Sequence, residues 1–185
     1  DHPFLRISYS TKEFGKTTSG VWNGRLSWWY AFRWRAGQEK TLIRACERQI
    51  SREVLETAFQ FAGRRMKKYL GGWHTDTIPL FPGYVFLQSE APRQLLEALK
   101  PFDGLADILE QDRLLLPVKP EQERLLRELC GDGHVLDLSR GRVKEGMFQA
   151  EEGPLVGREG LIRRLDLHRR IAVLDCRLPG ETHDI

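Results

Sequence analysis

The run Phe81 to Phe86, Phe-Pro-Gly-Tyr-Val-Phe, constrains this chain more than any other stretch. Pro82-Gly83 is a turn signal, because proline presets φ and glycine accepts positive φ. Tyr84-Val85-Phe86-Leu87 is aromatic, β-branched and apolar on both faces, which predicts a buried strand. Ile78, Leu80 and Phe81 then stand at the rim of that sheet. Two readings follow from the run itself. All its aromatics are core, as aromatics usually are, or Phe81 and Tyr84 face outward as part of a docking pocket. The residues of the run leave both open.

A chain of 185 residues holds one or two domains, and 41% apolar with 30% charged residues is ordinary for a globular protein. No apolar run is long enough for a membrane span and no signal peptide opens the chain. Its three cysteines, Cys46, Cys130 and Cys176, are far apart and odd in number. They fit a reducing cytoplasm and argue against a disulfide framework or a zinc site. The net charge of +3 hides an asymmetry: Arg33 to Lys68 carries ten Lys/Arg against four Asp/Glu, whereas Glu90 to Asp132 carries ten Asp/Glu against six Lys/Arg. Such a basic lobe suits an anionic partner on one side, or is a solvated helix face.

In chain order, residues 1–27 have no clean period and are expected to be a poorly ordered leader or one that docks late. Trp28 to Trp34 predicts a strand. A helix is expected from Gly37 to about Ile50, because Leu42, Cys46 and Ile50 recur at four-residue spacing with Ile43 beside them. Cys46 then behaves as a small core hydrophobe. Thr57 to Phe61 predicts a strand. Arg64–Tyr69 and Trp73–Thr77 flank Gly71-Gly72, a pair suited to a two-residue turn, and predict a β-ribbon. Pro92–Lys100 predicts a helix with Leu95, Leu96 and Leu99 inward, 104–109 a strand, and Pro120 opens a helix with Leu125, Leu126, Leu129 and Cys130 as its apolar face. Gly131-Asp132-Gly133 ends it and marks a boundary. From Val135 on, glycines at 141, 146, 153, 157 and 160 punctuate short apolar runs, which is all-β texture. Leu161-Ile162 and Ile171–Leu174 are strands around a basic tip, Arg163 to Arg170. The domains expected are 28–131, a linker at 132–138, and a small barrel at 139–185.

Trp29-Tyr30-Ala31 followed by Gly37-Gln38-Glu39-Lys40, the ribbon, and Pro79-Leu80-Phe81-Pro82-Gly83-Tyr84-Val85-Phe86 together resemble the N-terminal (NGN) domain of NusG-type transcription elongation factors. Glu152 to Ile162 resembles their C-terminal KOW motif. The resemblance runs from Trp28 to about Glu181. It implies an α+β NGN domain, an antiparallel sheet flanked by helices, followed by a small all-β, SH3-like KOW barrel. Within the family, Leu138-Ser139-Arg140-Gly141 and Leu165 to Arg170 look most like the LoaP branch of specialised paralogues, implied to act in bacterial processive antitermination and to bind an RNA hairpin. Met147 departs from the pattern, since the family places an acidic residue after that glycine. The chain stops at Ile185, where the family's barrel has a closing strand; the last strand is expected to be lacking or supplied by the leader.

The resemblance implies docking on the clamp region of RNA polymerase through Trp29, Phe81 and Tyr84, which match motif positions, with Ile78 joined to them by proximity. Truncating Phe81 or Tyr84 is then expected to weaken docking and leave the fold largely intact. Arg158, Arg163, Arg164, His168, Arg169 and Arg170 around the KOW segment, with Arg44, Arg48, Arg64, Arg65, Lys67 and Lys68 on the first domain, are the candidate RNA-binding residues. Arginine matches phosphate geometry and stacks on unpaired bases; a merely solvated hairpin tip is the plainer alternative. The C-terminal segment is expected to stay β and not to refold into a helical hairpin, because its glycines and Pro154 disfavour a helix. The glycine-rich loop lacks both the lysine placement and the following helix of a phosphate cradle. Asp166, His168 and Cys176, or His74 and Asp76, make no catalytic or metal constellation, so neither an enzyme nor a cofactor is expected. A monomer is expected. The competing class is a ribosome- or rRNA-binding KOW protein without polymerase contact; the aromatic motifs at 29 and 79–86 favour the first.

Overall fold

The aromatic alternation in Trp28–Trp34 is realised as the centre of a sheet. The computed structural model describes residues 4–8 through their backbone, and residues 27–102, 115–168 and 170–174. The strand expected at 104–109, Arg169, Cys176 and most of the leader lie outside the described residues. Two compact units divide the rest: one holds 4–8, 61–81 and 124–174, the other 27–60, 82–102 and 115–123.

In the second of these, β2 (Trp28–Arg33) pairs antiparallel with β6 (Tyr84–Ser89), β6 with β3 (Thr57–Phe59), and β2 with β7 (Leu116–Pro117), in the order β3-β6-β2-β7. Alternation sends Tyr30, Phe32, Val85, Leu87 and Ala58 to one face. There they form a core with Leu42, Cys46 and Ile50 of α1 (Glu39–Gln49) and Leu95 and Leu99 of α2 (Pro92–Leu99). Leu96 is only half-buried. The opposite face carries an aromatic row: Trp29 meets Phe59 edge-on at 5.0 Å, and Phe59 stacks on Phe86 at 5.8 Å. Gly37 stands before α1 with φ 86°, so the helix begins at Glu39 and not at the glycine. Burial in the stripe pushes the Cys46 thiol up to about 12, which keeps it a protonated core group.

In the first unit, β4 (Ala62–Tyr69) and β5 (Gly72–Pro79) make the ribbon, longer at its base than the charge pattern suggested. Tyr69 pairs with Gly72, so the turn residues are Leu70-Gly71, not Gly71-Gly72. Both have positive φ, 49° and 76°, as a tight hairpin turn requires. Helix α3 (Pro120–Cys130) ends at Gly131, φ 62°. β8 (Val135–Leu136) then runs parallel to β4.

Five strands form a second sheet in the order β10-β9-β1-β12-β11, with β9 (Ser139–Lys144), β10 (Met147–Glu152), β11 (Ile162–Asp166) and β12 (Ile171–Leu174) around β1 (Phe4–Ser8). β1 is antiparallel to β9 and parallel to β12. Arg163 to Asp166 are strand, paired with β12 through Val173, Ala172 and Ile171, so the basic tip shrinks to the turn after Asp166. Between β10 and β11, the loop is anchored by buried Leu155, whose N–H donates to the Ser139 hydroxyl at 3.1 Å. Among the described residues the chain is thus mixed α+β, with three helices.

Candidate functional site

The Phe81 turn is built around two hydrogen bonds to Gly83. Gly83 has φ 80° and follows Pro82, the geometry of a type II turn. Its carbonyl accepts from Trp34 N–H at 2.8 Å, and its N–H donates to the Glu39 carboxylate at 2.7 Å. A Cβ at Gly83 would sit 3.2 Å from the Trp34 carbonyl, so both φ and space call for glycine.

The four expected docking residues separate by burial. Phe81 is 3% exposed and Trp29 1%. Phe81 turns inward, against expectation: Leu80 N–H bonds the Phe61 carbonyl at 2.8 Å, and this places the Phe81 ring edge-on to Phe61 at 5.9 Å. Trp29 is fixed from both sides, by Phe59 and by its indole N–H donating to Gln88 at 3.2 Å. Tyr84 and Ile78 are half-buried and reach the surface, each in its own unit.

The expected RNA-binding cations also separate. Arg44 and Arg48 are exposed on α1, opposite its apolar stripe. All the others that are described belong to the first unit. Three of these hold carboxylates: Arg64 with Asp137 at 3.1 Å, Arg65 with Asp76 at 2.6 Å, and Arg158 with Glu128 at 3.3 Å. The Arg65 guanidinium holds the Asp76 carboxyl below its ordinary value, chiefly by that hydrogen bond. Lys67, Lys68, Arg163, Arg164 and His168 are exposed and have no ion pair among the described residues. Arg170 has its guanidinium over the Trp73 ring, 4.5 Å from the centroid. This contact joins the turn between β11 and β12 to the ribbon.

The sequence reading missed Trp73, Glu39, Asp137 and Glu128. A tryptophan beside a hairpin turn has no second layer to bury it, which was the available signal for Trp73. The carboxylates that neutralise Arg64 and Arg158 come from distant segments and left no local mark. Among the described residues no cluster of three His, Cys, Asp or Glu could hold a metal, and no helix is long and apolar enough to cross a membrane.

From the residues upward, this is a mixed α+β protein whose described polar surface is cationic along one ribbon and one turn, with aromatic rings beside the charges. A family model described as "Transcription termination factor nusG" matches residues 27–127, more than half of the chain, and the chain belongs to the NusG family. No curated protein matches it. The matched span contains the Glu39 and Gly83 motifs and the ribbon; the strands from β8 onward follow it.

Proposed function

We propose that this protein is a transcription elongation factor of the processive antitermination type, similar to the LoaP branch. It docks on the clamp region of RNA polymerase through its NGN-type domain and binds a hairpin in the nascent RNA, in the bacterial cytoplasm. The observation that carries this reading is the family membership over 27–127, which includes the aromatic turn at 81–84. In the docking proposal Tyr84 supplies contact area and Trp29 holds the strand beside it, both in one unit; Ile78, in the other unit, is a separate candidate. A half-exposed tyrosine is a frequent docking anchor.

The RNA part rests on Lys67, Lys68, Arg163, Arg164, His168 and Arg170 in one unit, with no carboxylate in salt-bridge reach among the described residues. Arg44 and Arg48 are a second candidate patch. Arg64, Arg65 and Arg158 would first have to leave their carboxylates, so they are weaker candidates. The residues from 139 onward are assigned to a KOW-type barrel, with β1 as its added strand.

The test is capture of core RNA polymerase by the full-length chain, with a gel shift against a panel of hairpin RNAs. Capture together with a shift is expected. Binding to ribosomal RNA without polymerase capture would replace this reading by that of a ribosome-associated KOW protein.

A further inference from the structure

The pairing of the ribbon sorts its side chains into two faces. Lys67 stands opposite His74, Lys68 opposite Trp73, and Tyr69 opposite Gly72. Strand alternation therefore places Arg65, Lys67, Tyr69, His74 and Asp76 on one face, and Arg64, Met66, Lys68, Trp73 and Thr75 on the other. The first face has pairings of its own, with Lys67 exposed between them. The Tyr69 and His74 rings stack at 3.8 Å, and Arg65 is held by Asp76. The second face meets the loops of the C-terminal segment at two points among the described residues: Arg64 bonds Asp137, and Arg170 lies over Trp73.

Trp73 is 46% exposed although a guanidinium already sits on its ring. Packing alone gives no reason to leave so large an apolar surface in water. Arg170 reaches it from a backbone φ of 56°, a left-handed conformation that non-glycine residues seldom adopt. Guanidinium over indole is a cation–π contact that leaves the N–H groups of the arginine available. Among the described residues no carboxylate takes them. Lys68, beside Trp73 across the strands, is likewise exposed and unpaired.

An aromatic surface open to solvent, flanked by two unneutralised cations, is the chemistry that binds an unpaired nucleotide. The base stacks on the ring, and the cations take the phosphate. We propose that Trp73 and Arg170 form a stacking site for one unpaired nucleobase, with Arg170 and Lys68 holding its adjacent phosphate. This rests on the RNA-binding reading above and adds to it a site that reads unpaired strand and not only charge. The unpaired nucleotide can come from an RNA loop or from a single DNA strand.

The probes are a hairpin RNA carrying 2-aminopurine in its loop, a single-stranded DNA of the loop sequence with the same label, and a fully paired RNA duplex. With the full chain, 2-aminopurine emission in the hairpin is expected to be quenched on binding. Trp73→Ala should remove the quenching and weaken hairpin binding about tenfold to a hundredfold, the range of one lost base stack. Trp73→Phe should restore most of both, and duplex binding should not change. An equal response with the DNA strand supports a site for any unpaired strand, and a response with RNA alone assigns the site to the loop. Quenching and affinity unchanged in Trp73→Ala, while Lys67→Glu with Arg163→Glu still weakens the hairpin, overturns the stacking site and leaves the RNA reading standing. No binding of any probe by the unaltered chain overturns both.

Discussion

The carboxylate of Glu39, at the first turn of α1, accepts the backbone N–H of Gly83 across 44 positions of sequence. It binds the Gly-Gln-Glu-Lys motif to the Phe-Pro-Gly-Tyr motif, which the sequence displayed separately. Glu39 is 3% exposed, so the bond is shielded from water. Glu39→Ala leaves a buried N–H without its partner, a loss of about 1–3 kcal/mol. Glu39→Gln keeps an acceptor and should cost less, though it gives up the charge that suits a helix N-terminus. Urea denaturation of the three proteins orders them unaltered, Gln, Ala; an Ala variant as stable as the unaltered chain would show that the bond holds nothing in place.

Phe81 and Tyr84 should behave differently when truncated. Phe81→Ala opens a space beside Phe61 in a buried site and should destabilise by about 3–5 kcal/mol. Tyr84→Ala removes a half-exposed ring and should leave the unfolding midpoint nearly unchanged while reducing polymerase capture. Thermal melts run beside a capture assay check both. Equal loss of stability in the two variants would make Tyr84 a core residue as well.

Two glycines of the C-terminal segment, Gly141 in β9 and Gly160 in the short 3-10 helix before β11, give a matched pair. A Cβ at Gly141 would collide with the Gln149 carbonyl on the paired strand, backbone against backbone. At Gly160 it would meet nothing within 4 Å. Gly141→Ala should therefore disrupt the β9–β10 hairpin, and Gly160→Ala should be neutral or slightly stabilising, by about 0.4–1 kcal/mol. Hydrogen exchange at the amides of β9 and β10 reads the difference; intact protection in Gly141→Ala would refute the close approach.

Local pattern made much of this legible. The stripe Leu42, Cys46, Ile50 and the run Val85–Leu87 each encode their burial in their own spacing, and α1 and β6 lie where that spacing put them. What local pattern cannot carry is the partner of a charge. Arg64 and Arg65 look identical in sequence, yet one bonds Asp137 beyond β8 and the other Asp76 across the ribbon. The same limit hid the inward turn of Phe81, because a rim aromatic is buried or exposed according to what another segment, here Phe61, brings to it. β1 was legible only as one of two alternatives, a strand supplied by the leader, and its place in the sheet was not. Its pairing with β9 and β12 depends on strands far downstream, and nothing in the Ser- and Thr-rich leader has strand periodicity.

His134 should make stability depend on pH. Desolvation first, then the Arg127 charge, lower its value below the ordinary 6.5, with Asp132 opposing. The folded state therefore prefers the neutral ring. Above 6.5 both states are neutral and the group contributes nothing. As pH falls through 6.5 the unfolded chain takes up the proton first, and stability drops until pH reaches the lowered folded value. His134 has φ 53°, so asparagine, which tolerates that backbone, is the suitable replacement. Urea midpoints between about pH 8 and about pH 5 should fall less steeply in His134→Asn. Identical slopes would remove His134 from the account.

The proposal that Lys67, Lys68, Arg163 and Arg164 contact phosphates, while Arg64 and Arg65 are occupied, predicts unequal charge effects. Each phosphate contact contributes a share of counterion release, so losing one should lower the slope of log affinity against log salt by about one unit or slightly less. Lys67→Gln and Arg163→Gln should each show that decrement for every hairpin RNA tested, since phosphate contacts carry no sequence. Arg65→Gln should show little, because its guanidinium already spends its donors on Asp76 at 2.6 and 2.9 Å. Asp76→Asn is the reciprocal variant. It frees Arg65 and should raise both affinity and slope, provided the ribbon stays folded, which far-UV circular dichroism checks. A slope that falls as much with Arg65→Gln as with Lys67→Gln would mean that RNA displaces the Asp76 carboxylate, and the ion pairs would no longer divide the cations into free and occupied.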